Sequence, residues 1–221
     1  TVRPKPSPPA PARPKSSGRI GHTQSEIVGI GISTGGPNAL AKMIPMLPGT
    51  LKVPVLIVQH MPPMFTASLA NSLNAKSALD IKEAQDGDVI EPGRVFIAPG
   101  GKQMKILAGA DGVTRKIKIT DDPPENSCKP SVDYLFRSIA EHYVGRSTGV
   151  IMTGMRSDGT EGLIQIKQNG SVVIAQDKAS CTVFGMPKEA IKIGAADEIA
   201  PLPKISNRII SILNDTAKSK K

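Results

Sequence analysis

Ile27-Val28-Gly29-Ile30-Gly31-Ile32-Ser33-Thr34-Gly35-Gly36-Pro37 joins an apolar run to a glycine-rich turn and then to a proline. The run reads as a buried strand, and Pro37 suits the first turn of a helix. Ser33 therefore falls on a strand-to-helix turn. Glycines on both sides let the backbone bend sharply, and the following helix aims unpaired N–H groups and partial positive charge back at the serine oxygen. Three roles are open from these residues alone. Ser33 or Thr34 caps the helix, the turn cradles a phosphate, or Ser33 is a nucleophile in the Gly-x-Ser-x-Gly elbow pattern from Gly31 to Gly35.

Beyond this stretch, apolar runs alternate with helical patterns. Strands are predicted near 26–32 and 53–59 and helices near 37–46 and 64–74, the rhythm of βαβ units. A helix over 131–144 carries Val132, Leu135, Phe136, Ile139 and Tyr143 at helical spacing. Then come a strand at 148–153, a helix at 160–168, a strand at 171–175, a helix at 186–193, a strand at 197–200 and a helix at 202–214. The segments 102–108 and 114–120 read as an antiparallel hairpin turning through Asp111-Gly112, with one wet face, that extends the sheet. The predicted fold is α/β, a doubly wound, mostly parallel sheet with helices on both faces and an antiparallel β-hairpin.

The formal net charge of +9 invites a nucleic-acid reading, but its distribution argues otherwise. Residues 1–22 hold five basic residues and no acid, and 218–221 hold three and no acid. Removing those eight leaves 20 basic against 19 acidic residues in the body. With 3% aromatic residues and no tryptophan, there is little material for stacking bases, so no nucleic-acid partner is expected. No apolar run approaches the roughly 20 residues that span a bilayer, and the proline-rich, basic start has no secretory h-region. No membrane insertion and a cytoplasmic location are expected. Cys128 and Cys181 lie far apart without a Cys-x-x-Cys or a nearby histidine pair, so both read as reduced, buried residues. Neither a metal site nor a cofactor is indicated by spacing.

A serine nucleophile needs a base, and usually an acid that orients the base. Of the three histidines, His22 falls beside the proline-rich start and His142 lies off the apolar stripe of its helix. His60 ends the run Val55-Leu56-Ile57-Val58-Gln59, so it stands at a strand end on the same sheet edge as Ser33, where open α/β folds bind ligands. Asp158, in the loop after the strand that ends at Thr153, meets the requirement for the acid. Asp158 and Glu161 are equally spaced to cap the next helix. Asp177, after the 171–175 strand, is a weaker candidate on that edge. Gly29-x-Gly31 leaves a dinucleotide- or phosphate-binding module as the alternative. Against it, position 34 is Thr rather than Gly, and no acid occurs from Ile27 to Leu79 to bind a ribose.

Five blocks in order resemble one family. They are Gly31 to Pro37, Gln59-His60-Met61-Pro62-Pro63, Phe96-Ile97-Ala98-Pro99-Gly100, Thr153-Gly154-Met155 with Asp158-Gly159, and Ala179-Ser180-Cys181 with Phe184-Gly185-Met186-Pro187. Together, over about residues 24–214, they look like the catalytic domain of the chemotaxis protein-glutamate methylesterases, the CheB family. The resemblance implies a triad of Ser33, His60 and Asp158 that hydrolyses γ-glutamyl methyl esters on chemotaxis receptors and deamidates certain receptor glutamines. The order Ser…His…Asp differs from the Ser…Asp…His order of α/β-hydrolases. Backbone N–H groups near Thr34 or Met155 are candidates for stabilising an oxyanion. The family carries an N-terminal phosphoacceptor receiver domain, so residues 1–22 read as a flexible linker, 23–217 as the methylesterase domain and 218–221 as a basic tail. A catalytically silent receptor-docking protein would keep the same sequence features. One residue departs from the pattern: Arg156 stands where the family usually has glycine.

Six prolines within the first 14 residues, interleaved with Lys, Arg, Ser and Ala, offer little apolar surface to bury. Deleting residues 1–20 is therefore expected to leave the thermal unfolding midpoint within a few degrees of the parent chain. A large drop in a melting scan would show that this segment packs on the body.

Overall fold

A computed structural model describes residues 24–215. The expectations for His22, for 1–22 and for 218–221 concern residues outside that range. Nine strands are described: β1 (Ile27–Ile32), β2 (Val55–Gln59), β3 (Asp80–Glu83), β4 (Arg94–Ile97), β5 (Gln103–Ala108), β6 (Arg115–Thr120), β7 (Ser147–Ile151), β8 (Val172–Gln176) and β9 (Glu198–Ala200). Seven form one parallel sheet in the order β3-β4-β2-β1-β7-β8-β9. All of β1, β2 and β7 is buried, as expected for central strands covered on both faces.

Alternation along β1 feeds two cores. Val28, Ile30 and Ile32 pack with α1 (Gly36–Met43), α2 (Pro63–Asn74) and α6 (Leu202–Asp215) through Leu40, Leu73 and Ile209. The opposite face meets α3 (Val132–His142), α4 (Thr160–Gln168) and α5 (Met186–Lys192) through Phe136, Leu163 and Met186. The chain leaves β1 for β2 on one side and later returns to pair β7 on the other. Strand order thus reverses at β1, and the crevice outside its carboxyl end is where such sheets bind ligands. No helix among the described residues is long and apolar enough to cross a membrane.

The architecture agrees with the sequence reading, with three differences. β3 and β4 were not anticipated. Each has four residues, and β3, at the sheet edge, is Asp-Ile-Lys-Glu, with no apolar run for periodicity to detect. The β5–β6 hairpin does not extend the sheet. It forms a separate two-stranded sheet whose inner face, with Met104, Ile106 and Ile117, packs in the core that contains α3. Finally, Cys128 and Cys181 are both half-buried rather than buried.

Gly29 and Gly31 also have a physical explanation that is not phosphate binding. A Cβ on Gly31 would stand 2.3 Å from Val132 Cγ1, and one on Gly29 would stand 2.5 Å from Ile139 Cδ1. Their lack of side chains lets α3 lie close against β1, with the N-terminus of α3 at the functional edge of the sheet. Val132 is short and β-branched, so it cannot swing away from an added methyl. Gly31→Ala is therefore expected to destabilise the fold by about 1–3 kcal/mol, the usual cost of overpacking. Urea denaturation checks this through a lower midpoint at unchanged slope; an unchanged midpoint would contradict the packing argument.

Candidate active site

Ser33, His60 and Asp158 come from the carboxyl ends of three adjacent strands, β1, β2 and β7. Backbone hydrogen bonds lock these ends together: Ser33 N–H donates to Thr153 C=O at 2.9 Å, and His60 N–H donates to Ile32 C=O at 3.1 Å. Gln59, 2% exposed, braces the first two. Its Nε2 donates to Ser33 C=O at 3.0 Å and to His60 C=O at 2.9 Å. Two carbonyl acceptors fix which end of the amide faces them. Thr153 closes the third side, donating its hydroxyl to Thr34 C=O at 2.9 Å.

The turn after β1 has the geometry expected for an elbow. Gly35 has φ 82°, and Gly36 N–H closes the turn on Ser33 C=O at 2.8 Å. The N-cap of α1 is Gly35 and makes no side-chain cap bond, so neither Ser33 nor Thr34 caps the helix. Among the described residues the Ser33 hydroxyl has no hydrogen-bond partner and is only half-buried. Gly154 permits the loop after β7 to approach it: a Cβ there would lie 2.8 Å from Ser33 Cβ. The N–H groups of Thr34 and Met155 bond to no protein acceptor among the described residues, so both remain available to a ligand oxygen.

Of the two roles open to Asp158, orienting His60 and capping α4, the structure shows the contact to His60. Its side chain is fully buried and does not cap α4, whose N-cap, Gly159, has no side-chain bond. Instead it sits on the N-terminus of α3. Oδ2 accepts from Val132 N–H at 2.7 Å, and Oδ1 accepts from Asp133 N–H at 3.1 Å and from the Ser131 hydroxyl at 2.8 Å. Asn126 Nδ2 adds a longer bond to Oδ1 at 3.4 Å. Oδ2 also holds His60 Nε2 at 2.7 Å.

These contacts set the charges. Burial opposes ionisation of Asp158, but the bonds from His60, Val132 and Asp133 outweigh it and hold its pKa below the ordinary value. At His60, burial disfavours the imidazolium, yet the hydrogen bonds to Asp158 and Cys128 together raise the pKa to about 9. The His60 contribution to stability is thus full below its unfolded value of 6.5 and is lost as pH rises through about 9. Asp133, buried beside Asp158, is pushed up to about 6 by burial, with Gly162 N–H opposing and the Asp158 charge adding.

Asp177 is not part of this arrangement; its carboxylate accepts from Ser180 N–H at 2.9 Å and from the Ser180 hydroxyl, closing a local turn. His142 ends α3, far along the helix from the Asp158 contacts. The sequence reading also missed Gln59, Ser131 and Asn126, and did not bring Cys128 to the site. Cys128 Sγ lies 3.8 Å from His60 Nδ1. A pocket of about 370 Å³ opens above this pair, lined by His60, Met61, Pro63, Gly101, Cys128 and Lys129 among others. A serine hydroxyl, an imidazole oriented by a buried carboxylate, and two free N–H groups make up the equipment of an acyl-transfer centre.

Comparison with known proteins gives this arrangement a context. Residues 28–209 match the CheB methylesterase family. The protein-glutamate methylesterase/protein-glutamine glutaminase of Desulfotalea psychrophila is 60% identical over 187 residues, 85% of this chain and 51% of that protein. The protein of the same description in Bacillus subtilis is 46% identical over 212 residues, 96% of this chain and 59% of that one. The chain thus spans about half the length of the curated relatives it matches. The crystal structure of the Thermotoga maritima CheB methylesterase catalytic domain superposes with a TM-score of 0.82 at 43% identity, covering 86% of this chain and 100% of that one. With four-fifths of its length inside the family match and its sheet superposing on that domain, the chain belongs to the CheB methylesterase family.

Proposed function

We propose that this chain is the hydrolase unit of a protein-glutamate methylesterase, acting on γ-glutamyl methyl esters of chemotaxis receptors and on receptor glutamines. In this reading Ser33 attacks the ester carbonyl, His60 takes its proton and Asp158 holds the ring and stabilises the imidazolium. Methanol leaves, or ammonia from a glutamine, and water repeats the sequence on the acyl-enzyme. The observation that carries the proposal is the 2.7 Å bond between His60 and a fully buried Asp158, at the strand end next to an unbonded Ser33 hydroxyl. Asp158 occupies Nε2, so the proton exchange with Ser33 falls to Nδ1. That hydrogen bond is expected to form with substrate bound, as catalytic contacts commonly tighten only in the Michaelis complex.

The N–H groups of Thr34 and Met155 are proposed to receive the oxyanion, because Thr34 follows Ser33, Met155 follows the Gly154 that lies against Ser33, and neither N–H has a protein partner among the described residues. Removing such a donor typically costs about 10²- to 10³-fold in kcat. Relatives of which the matched stretch covers only about half support a further domain in the full-length protein. The family resemblance makes a receiver domain, joined through residues 1–22, the proposal for it, in a cytoplasmic enzyme. A dinucleotide-binding reading has lost its main support, since Gly29 and Gly31 serve helix packing.

The direct test is methanol release from methyl-labelled receptor. Ser33→Ala is expected to abolish it while leaving the fold intact; turnover that survives in Ser33→Ala and is lost in Cys128→Ser would move the nucleophile to the thiol. Asp158→Asn is expected to lower kcat on the order of 10⁴-fold, through the wrong imidazole tautomer.

The pH dependence follows from the raised His60 pKa. Only the neutral ring accepts a proton, so kcat/KM is expected to climb along a single-proton limb above 6.5, toward about 9. A stopped-time assay, corrected with Ser33→Ala for alkaline hydrolysis, checks this. A limb centred at or below 6.5 would contradict the ion pair between His60 and Asp158.

A further inference from the structure

We infer that His60 and Cys128 form an inhibitory binding site for a thiophilic divalent cation, zinc above all. Their Nδ1 and Sγ atoms are 3.8 Å apart. A tetrahedral zinc, with Zn–S near 2.3 Å and Zn–N near 2.0 Å, holds its sulfur and nitrogen ligands about 3.5 Å apart. Asp158 completes a cluster whose three ligand atoms lie within 4.8 Å of one another. Its place is behind the ring rather than on the metal, because it already binds Nε2 at 2.7 Å. A carboxylate on the second nitrogen is the usual support of a metal-bound histidine: it fixes the ring and raises the basicity of the first.

The backbone that carries the thiol is tied down at several points. Glu125 and Cys128 exchange backbone hydrogen bonds at 3.0 and 2.7 Å across a tight turn, whose central residues Asn126 and Ser127 have φ of 51° and 62°. That turn is tied to α3 twice, through the Glu125–Arg137 ion pair at 2.5 Å and the Asn126–Asp133 hydrogen bond at 2.9 Å. The neighbouring cations are engaged elsewhere: Lys129 and Lys102 both bind Asp121, at 2.7 and 3.2 Å. Cys128 lines the open pocket over His60, which leaves room for water to complete the coordination shell. Thiolate with imidazole favours zinc or copper over magnesium or calcium.

On binding, the cation forms bonds to Nδ1 and Sγ, and the protons on these atoms go to solvent. No electrons are exchanged. The metal then occupies the ring nitrogen that proton transfer with Ser33 requires, so bound zinc blocks turnover. This consequence rests on the reading of His60 as the base, whereas the site itself does not.

The test begins with cobalt(II) as a spectroscopic probe of the reduced, metal-free chain. A thiolate-to-cobalt charge-transfer band is expected in the parent chain and in Cys181→Ser, lost in Cys128→Ser and erased by one equivalent of zinc. Zinc affinity by titration calorimetry is expected to fall at least about tenfold in Cys128→Ser. In methanol release, with each protein's rate taken relative to its own zinc-free rate, Cys128→Ser is expected to need at least about tenfold more zinc for half-inhibition. Absence of the band from the parent chain, or its persistence in Cys128→Ser, would overturn the site. Turnover that ignores zinc while the band forms would overturn the inhibition. A chain that forms the band but never releases methanol would instead sink the hydrolase reading and leave the metal site standing.

Discussion

A carboxylate with no exposed surface is costly to keep ionised, and the way this fold compensates Asp158 determines most of what surrounds it. The compensation is the N-terminus of α3: two backbone N–H groups and the Ser131 hydroxyl converge on the side chain, with the helix dipole behind them. For that helix end to reach the loop after β7, α3 must lie against β1, and that requires the missing side chains of Gly29 and Gly31. His60 then meets a negative charge already fixed in place. The packing of a helix on a strand and the charge state of an imidazole are therefore parts of one arrangement, and removing Asp158 would take away both the partner that keeps the His60 ring charged and the acceptor on which the α3 N-terminus converges.

The parallel βαβ frame was legible because central strands and amphipathic helices leave strong periodicity. Strand-end placement was enough to bring Ser33 and His60 to one edge. What the sequence concealed was of two kinds. β3 is a charged edge strand with a single buried residue, Ile81, so no local pattern marks it. The hairpin was readable as a hairpin, but whether it joined the sheet or packed on α3 depended on tertiary contacts that no window of residues contains. The partners of Asp158 were hidden for the same reason. Local spacing tied it to α4, whereas its ligands are 25–27 residues earlier.

Gln59 and Cys128 show a further limit. A glutamine at the end of an apolar strand is a visible anomaly, and burying it without partners would be expensive, so it could have been flagged as a brace. Cys128 gave no such signal, since its proximity to His60 arises from a turn that folds back across 68 residues of chain. Arg156 is clearer. It is exposed, with φ 65°, in the left-handed region where glycine carries no steric penalty, which fits the glycine that the family resemblance leads one to expect there.

The N-terminus of α3 acts on His60 through Asp158. An NMR titration of the His60 ring in the intact chain, alongside Asp158→Asn, tests it most directly. The ring in the parent chain is expected to stay charged well above 6.5 and to lose its proton at about 9, and Asp158→Asn is expected to bring this value down sharply. A parent ring that titrates near 6.5, or one whose titration Asp158→Asn leaves unmoved, would contradict it.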